Sequence, residues 1–354
     1  MIEHFVERPH PASTRTEPDL DRSQGVSSRS SEDGGQALLD DWHVLARSQD
    51  LPPQTLLPRR LLETNLVLWR DSSNQIRAWE DRCPHRGTLL STGTLSSDRV
   101  VCPYHGLTFN SEGHCVEIPA HPGYPIPSAA CVQTYQVQEC YDLIFVSLGH
   151  PTQDVPQFPE WQDPTYRRFL CGPFHCHTSG GRAIENFFDV AHFPFVHAGV
   201  LGDPKHPVPN EYEVSRQANG ITIHNVQFWQ PDPDGTGNAQ LITNTYRIFR
   251  PFTVYFSKES RNQRLTIFFN VTPVTEEEVI CWMWIAMNYG HDRSEAELRA
   301  FQETVIAQDL QILELQRPRR LPLNVQTEFH LPSDRASLTY RKWLRELGIT
   351  FGTC

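Results

Sequence analysis

Polar and apolar positions divide this chain into three zones. Residues 1 to about 36 hold no sustained apolar run and are rich in Ser, Arg, Asp, Glu and Pro, as in Ser27-Ser28-Arg29-Ser30-Ser31-Glu32-Asp33. Such a stretch buries too little apolar surface to offset its ordering entropy, so a disordered tail is expected. From Trp42 the pattern changes to short β-prone runs: Trp42 to Ala46, Leu66 to Arg70 and Ile76 to Trp79, broken by turn residues such as Asp71-Ser72-Ser73-Asn74. Short strands are predicted at Gly93 to Leu95 and at Val100-Val101. A hairpin is predicted for Leu107 to Phe109 and Cys115 to Ile118, turning at Asn110-Ser111-Glu112-Gly113. Val132 to Val137 and Leu143 to Leu148 complete a compact all-β module near residue 150.

Residues 151–168 are rich in Pro and aromatic side chains and read as a packed linker. Beyond it the pattern predicts one helix over 182–193. Strands follow at Ile221 to Val226, Gln240 to Phe249, Thr253 to Phe256, Leu265 to Val271 and Val279 to Ala286, with a loop over Asp232 to Gly237. A long helix is predicted from Ser294, where Ser with Glu297 three residues later forms a capping box, to about Gln316, before Pro318. The expected organisation is a tail over 1–36, an all-β domain over 37–150 and an α+β domain over 151–354.

Composition narrows the class without naming it. The chain has 354 residues, 38% hydrophobic and 21% charged, which suits a globular protein. A net charge of −11 argues against a nucleic-acid surface. No apolar run reaches a membrane span, and the start has no hydrophobic signal core, so a cytoplasmic protein is expected. Nine cysteines without a secretory signal point to reduced thiols and a cofactor, not to a disulfide scaffold.

The chemistry concentrates between residues 83 and 106. Cys83-Pro84-His85-Arg86-Gly87 is followed, with sixteen residues intervening after His85, by Cys102-Pro103-Tyr104-His105-Gly106. Two thiolates and two imidazoles suit a zinc ion or an iron–sulfur cluster. The tight Cys-x-His arm and the Pro and Gly in each loop favour the cluster. Farther on, Asn186, Asp189 and His192 would share one face of the 182–193 helix, and His197 follows just after Pro194. On the long helix Leu298, Phe301, Val305 and Ile312 form an apolar stripe that includes Asp309. A carboxylate on a buried face is costly unless it is paired or bound to a metal.

The pattern Cys83-x-His85-x16-Cys102-x-x-His105 resembles the Rieske [2Fe–2S] motif, in which two His replace two Cys on one iron. It departs from that family at Leu107, where Trp is usual. The run Asp189-x2-His192-x4-His197 resembles the matching segment of Rieske non-haem iron oxygenases, and Gln308-Asp309 with Pro318 fits the family's third-ligand segment. The resemblance implies an N-terminal Rieske domain followed by a helix-grip, START-like catalytic domain with an antiparallel sheet and a long C-terminal helix. It implies His192, His197 and Asp309 as a facial triad for Fe(II). It gives Asp189 a bridging role between one subunit's iron and the next subunit's cluster, hence a homotrimer. O2 would be co-substrate, with electrons from NAD(P)H through a separate reductase or ferredoxin.

From residue 40 onward the chain is also similar to Rieske hydroxylases of saxitoxin-type alkaloid pathways and to vanillate and dicamba demethylase-like oxygenases. Hydroxylation of a guanidinium alkaloid and demethylation of a methoxy-aromatic or related molecule are the two expectations. An electron carrier without oxygenase activity is a further alternative. Phe187, Phe188, Phe193, Phe195, Trp229 and Trp282 are the candidate pocket walls.

Overall fold

The computed structural model describes residues 35–217, 220–233, 237–260 and 262–354. Residues 1–34 of the predicted tail and the centre of the 232–237 loop lie outside these residues. After a short helix α1 (Gln36–Leu39), ten strands build two sheets. Strands β1 (His43–Arg47), β2 (Leu57–Leu61), β3 (Thr64–Arg70), β4 (Ile76–Glu80), β9 (Thr134–Cys140) and β10 (Leu143–Ser147) form a six-stranded sheet in the order β1-β10-β9-β4-β3-β2. Strands β5 (Thr94–Ser96), β6 (Arg99–Val101), β7 (Thr108–Phe109) and β8 (Cys115–Glu117) form a four-stranded meander. The core between them holds Val67, Trp69, Trp79, Leu90, Val100 and Phe109, with Trp69 and Trp79 edge to face at 5.2 Å. Strand β2 was not predicted. Its sequence Leu-Pro-Arg-Arg-Leu alternates poorly, and a Pro is tolerated there because β2 is an edge strand.

A seven-stranded antiparallel sheet follows, in the order β11-β17-β16-β15-β14-β13-β12. Its strands are β11 (Arg167–Cys176), β12 (Glu213–Gln217), β13 (Gly220–Gln230), β14 (Gln240–Arg250), β15 (Thr253–Ser260), β16 (Gln263–Thr275) and β17 (Glu278–Met287). Its period-two alternation sorts side chains to two faces. On β16 and β17, Phe268, Trp282, Trp284 and Ala286 join one cluster with Trp42, Phe145 and Phe158, against the N-terminal module. Their neighbours Leu265, Ile267, Phe269 and Met283 face the other way, toward the helices.

The predicted linker packs on the first face. Phe158 stacks on Phe268 at 5.5 Å, and Trp161 meets Trp284 edge-on at 5.0 Å. Two hairpin tips of the N-terminal module dock on this sheet as well. At the β2–β3 tip the Leu62 and Glu63 N–H groups donate to the Pro273 and Val274 carbonyls at 2.7 and 3.0 Å. At the β9–β10 tip the Trp284 indole donates to the Tyr141 carbonyl at 2.8 Å.

The helices α2 (Gly180–Phe188), α3 (Phe193–Val196), α4 (Glu295–Leu315) and α5 (Arg335–Glu346) belong to the other side. Helix α4 has the expected capping box at Ser294 and Glu297. Helix α2 ends earlier than predicted. Its N-cap is Ser179, and the chain leaves the helix at Asp189, whose Oδ1 accepts the Ala191 N–H at 2.9 Å. That local bond competes with a further turn of helix. Pro194 lies in the first turn of a separate helix, α3, where its missing N–H costs nothing. A four-residue ion network ties α2 to the C-terminal segments. Arg341 of α5 grips Glu185 of α2 through bonds of 2.6 and 2.7 Å and reaches Glu328 at 2.7 Å, while Arg182 also pairs with Glu328 at 2.5 Å.

Candidate metal centres

The two Cys-His loops are near copies of each other. In one, the Cys83 N–H donates to the Thr88 carbonyl at 2.8 Å and the Gly87 N–H to the Cys83 carbonyl at 2.9 Å. In the other, Cys102 pairs with Leu107 at 2.8 Å and Gly106 with Cys102 at 3.1 Å. Gly87 and Gly106 close these turns at φ +75° and +70°, a region that disfavours side chains. The shape puts both thiols inside and both imidazoles outside. Cys83 and Cys102 are each 2% exposed, whereas His85 and His105 are exposed with rings 4.6 Å apart. Burial, with the Cys102 thiol beside it, pushes the Cys83 thiol up to about 11. The two thiols pair on the inner side of the loops and the two imidazoles on the outer side. A two-iron cluster fits them, with thiolates on the inner iron and imidazoles on the outer. Leu107 is buried beneath the loop, and the Tyr104 ring covers His105 from outside at 3.8 Å.

The second group gathers three side chains from two helices. His192 precedes α3 and His197 closes it, so one helical turn separates the two imidazoles. Asp309 comes from α4. His192 Nε2 lies 3.3 Å from His197 Nε2 and 3.4 Å from Asp309 Oδ1, and His197 Nε2 lies 3.2 Å from the same oxygen. Three ligands at right angles around a metal, each about 2.1 Å from it, would be separated by roughly 3 Å. The observed triangle fits such a facial set.

The outward nitrogens are also engaged. His197 Nδ1 donates to Gln308 Oε1 at 2.7 Å, and His192 Nδ1 to Asp189 Oδ2 at 3.3 Å. These acceptors hold the Nδ1–H tautomer and leave both Nε2 lone pairs for a metal. Burial alone would lower the His192 imidazole, but hydrogen bonds to Asp189 and Asp309 outweigh it and hold it at about 9. Burial would raise Asp309; the two imidazoles beside it keep its carboxylate below the usual range. The group therefore attracts positive charge, a bound cation or a proton on His192 in its place.

The triad opens on a cavity of about 690 Å³ of atom-free space, its solvent-facing mouth included. Phe187 and Phe193 wall it from the helix side. Tyr246, Phe256, Ile267 and Met283 wall it from the sheet, and Phe301, Gln302 and Val305 from α4. Two of the predicted pocket walls are thus in place and four are not. Phe188 is fully buried in the core, Phe195 and Trp229 are 64% and 51% exposed, and Trp282 packs on the far face of the sheet. The buried seam of α4 also differs from the predicted stripe: Leu298, Gln302, Ile306 and Leu313 are buried, while Ile312 is 40% exposed. Asp309 lies beside that seam, with its side chain 13% exposed. Gln308 was named from the sequence as the neighbour of Asp309, without a role of its own; Gln230 and Asn244 were not singled out and had no signal beyond being polar residues within strands.

Residues 41–136 match the Rieske [2Fe–2S] domain family, and residues 175–348 the vanillate O-demethylase oxygenase C-terminal domain family. Methylxanthine N1-demethylase NdmA of Pseudomonas putida is 32% identical over 330 residues, spanning 88% of this chain and 92% of that protein. The chain belongs to the Rieske non-haem iron oxygenases. The solved structure of NdmA with caffeine matches this Rieske oxygenase with a TM-score of 0.80 at 29% identity, covering 89% of this chain and 92% of that one. The vanillate O-demethylase oxygenase subunit of a Pseudomonas strain is 25% identical over 311 residues, covering 80% of this chain and 93% of that protein. As a Rieske oxygenase the chain is an oxidoreductase that uses a [2Fe–2S] cluster, a mononuclear iron, O2 and electrons from a separate reductase or ferredoxin.

Proposed function

We propose that this oxygenase demethylates a small, flat, uncharged substrate. Overall, X–CH3, O2, two electrons and two protons give X–CH2OH and water; the hydroxymethyl product then breaks its X–C bond to release formaldehyde and X–H. The observation that carries this reading is the convergence of His192, His197 and Asp309 on the wall of an aromatic cavity. The names of the relatives, methylxanthine and vanillate demethylases, support the methyl group as the target. A guanidinium alkaloid has less support: among the described lining residues Asp309 is the one carboxylate.

Cys83 and Cys102 would hold one cluster iron and His85 and His105 the other. His192, His197 and Asp309 would hold the mononuclear iron, which when bound supplies the site of O2 activation. Gln308 and Asp189 orient the two imidazoles, and Phe187, Phe193 and Phe256 exclude water and press a flat ring into place.

Asp189 keeps 35% of its side chain exposed, which leaves room for a further partner. We assign it to a subunit junction in a homotrimer, where the exposed His85 or His105 of a neighbour would meet it. No described helix is long and apolar enough to cross a membrane, and all nine cysteines are unpaired, in keeping with a cytoplasmic enzyme beside its reductase.

The test is turnover of methylated heterocycles and methoxy-aromatics by the iron-loaded, cluster-containing protein with a reductase. Demethylation yields one formaldehyde per product. Hydroxylated product without formaldehyde would favour the alkaloid-hydroxylase reading instead.

A further inference from the structure

Two polar atoms in the cavity have no partner among the described residues. Gln230 Oε1 and Asn244 Oδ1 are buried without a donor, and each residue is only 1% exposed. Both line the cavity, from the adjacent strands β13 and β14. Leaving a carbonyl oxygen buried and unmatched is costly, and native interiors rarely do so without a reason. The Asn244 side chain also hydrogen-bonds the buried Tyr246 phenol; a phenol oxygen accepts from the amide NH2, which leaves Oδ1 for another donor.

We propose that Gln230 and Asn244 are specificity-determining residues that accept hydrogen bonds from substrate N–H groups. The substrate is then a neutral heterocycle that carries a free N–H in addition to the methyl group it loses. This rests on the demethylase reading above. The two amides belong to the sheet and the triad to α3 and α4. A flat ring bridging the cavity therefore turns its N–H edge to the sheet and its methyl edge to the triad.

Asn244 sits directly across from Lys258 on β15, and the buried Lys258 donates to the Pro233 carbonyl. A site built to satisfy an N–H rejects the same molecule lacking it, because its acceptors are then left bare.

The experiment uses the full chain carrying its cluster and iron. Anaerobic calorimetry compares theophylline and theobromine, each with one ring N–H, against caffeine, which has none. At least one N–H xanthine should bind about tenfold or more tighter than caffeine. Gln230→Met and Asn244→Leu keep side-chain volume but delete the acceptor. In one or both, the preference should fall to within about threefold of unity, while the melting temperature is no lower than the parent's.

If neither N–H xanthine outbinds caffeine, or both variants keep the parent's preference, the assignment is overturned, whether or not formaldehyde forms. Formaldehyde release under turnover reports separately on demethylation. Preference lost in the variants with no formaldehyde from any xanthine would leave the amide assignment standing and remove the demethylase reading.

Discussion

Gln308→Leu should weaken the mononuclear iron more than its distance from the metal suggests. His197 is 1% exposed, and its Nδ1–H meets Gln308 Oε1 at 2.7 Å. Leucine removes that acceptor and leaves a buried N–H unmatched, at a cost of about 1–3 kcal/mol. The ring can escape by moving its proton to Nε2, where Asp309 Oδ1 lies 3.2 Å away. That tautomer blocks the atom the iron needs. Iron must then reverse the shift, which predicts about a 10- to 100-fold loss of affinity, the usual range for such orienting partners. Gln308→Glu, which keeps an acceptor, should lose much less.

The same reasoning ranks a second position lower. Asp189 reaches His192 at a longer 3.3 Å and is 35% exposed, so water can replace it, and Asp189→Asn should cost iron affinity less than about tenfold. The assay is anaerobic Fe(II) titration against a chelator, with the cluster's visible absorbance as a check on folding. Unchanged affinity in Gln308→Leu, or a larger loss in Asp189→Asn, would refute the tautomer argument.

Three other outcomes follow from the scaffold. Arg341→Met strips Glu185 of its bidentate partner in a buried setting, so urea unfolding should show a loss of about 3–5 kcal/mol; a loss under about 1 kcal/mol would show the network to be dispensable. Burial would raise Glu328, but Arg182 and Arg341 hold its carboxylate below the usual range. Its contribution is therefore complete above the unfolded carboxyl value of about 4.3 and is lost as pH falls through the lower folded value. Melting temperature should drop in that acid window, and less so in Glu328→Gln. A Cβ on Gly202 would lie 2.5–2.7 Å from the Phe193–Pro194 backbone, so Gly202→Ala should displace α3, with loss of iron measured against an intact cluster spectrum.

What could be read from the sequence was what local chemistry decides. The cluster loops are two short segments whose Cys, Pro, His and Gly dictate their own turns. The capping box of α4 likewise needs nothing beyond Ser294 and Glu297. Helix α2 was overextended because its stop is a side chain, Asp189, bonding its own backbone, while the Phe-rich run beyond it looks helical. The cavity was the least legible part. Its sheet-side walls are alternate residues of five strands, and whether Trp282 or Met283 faces the cavity depends on which side of the sheet the helices cover. Likewise Gln230 and Asn244 look like ordinary strand polar residues until strand pairing sets Asn244 beside Lys258 inside the cavity.

Iron and acid-labile sulfide counted per chain, in the parent and in Asp309→Ala, test the central claim most directly. Two irons held by Cys83, His85, Cys102 and His105 and one held by His192, His197 and Asp309 predict about three irons and two sulfides in the parent. Asp309→Ala should keep about two of each, with an unchanged cluster spectrum and no turnover. A parent with only two irons, or an Asp309→Ala protein that retains the third, would contradict the account.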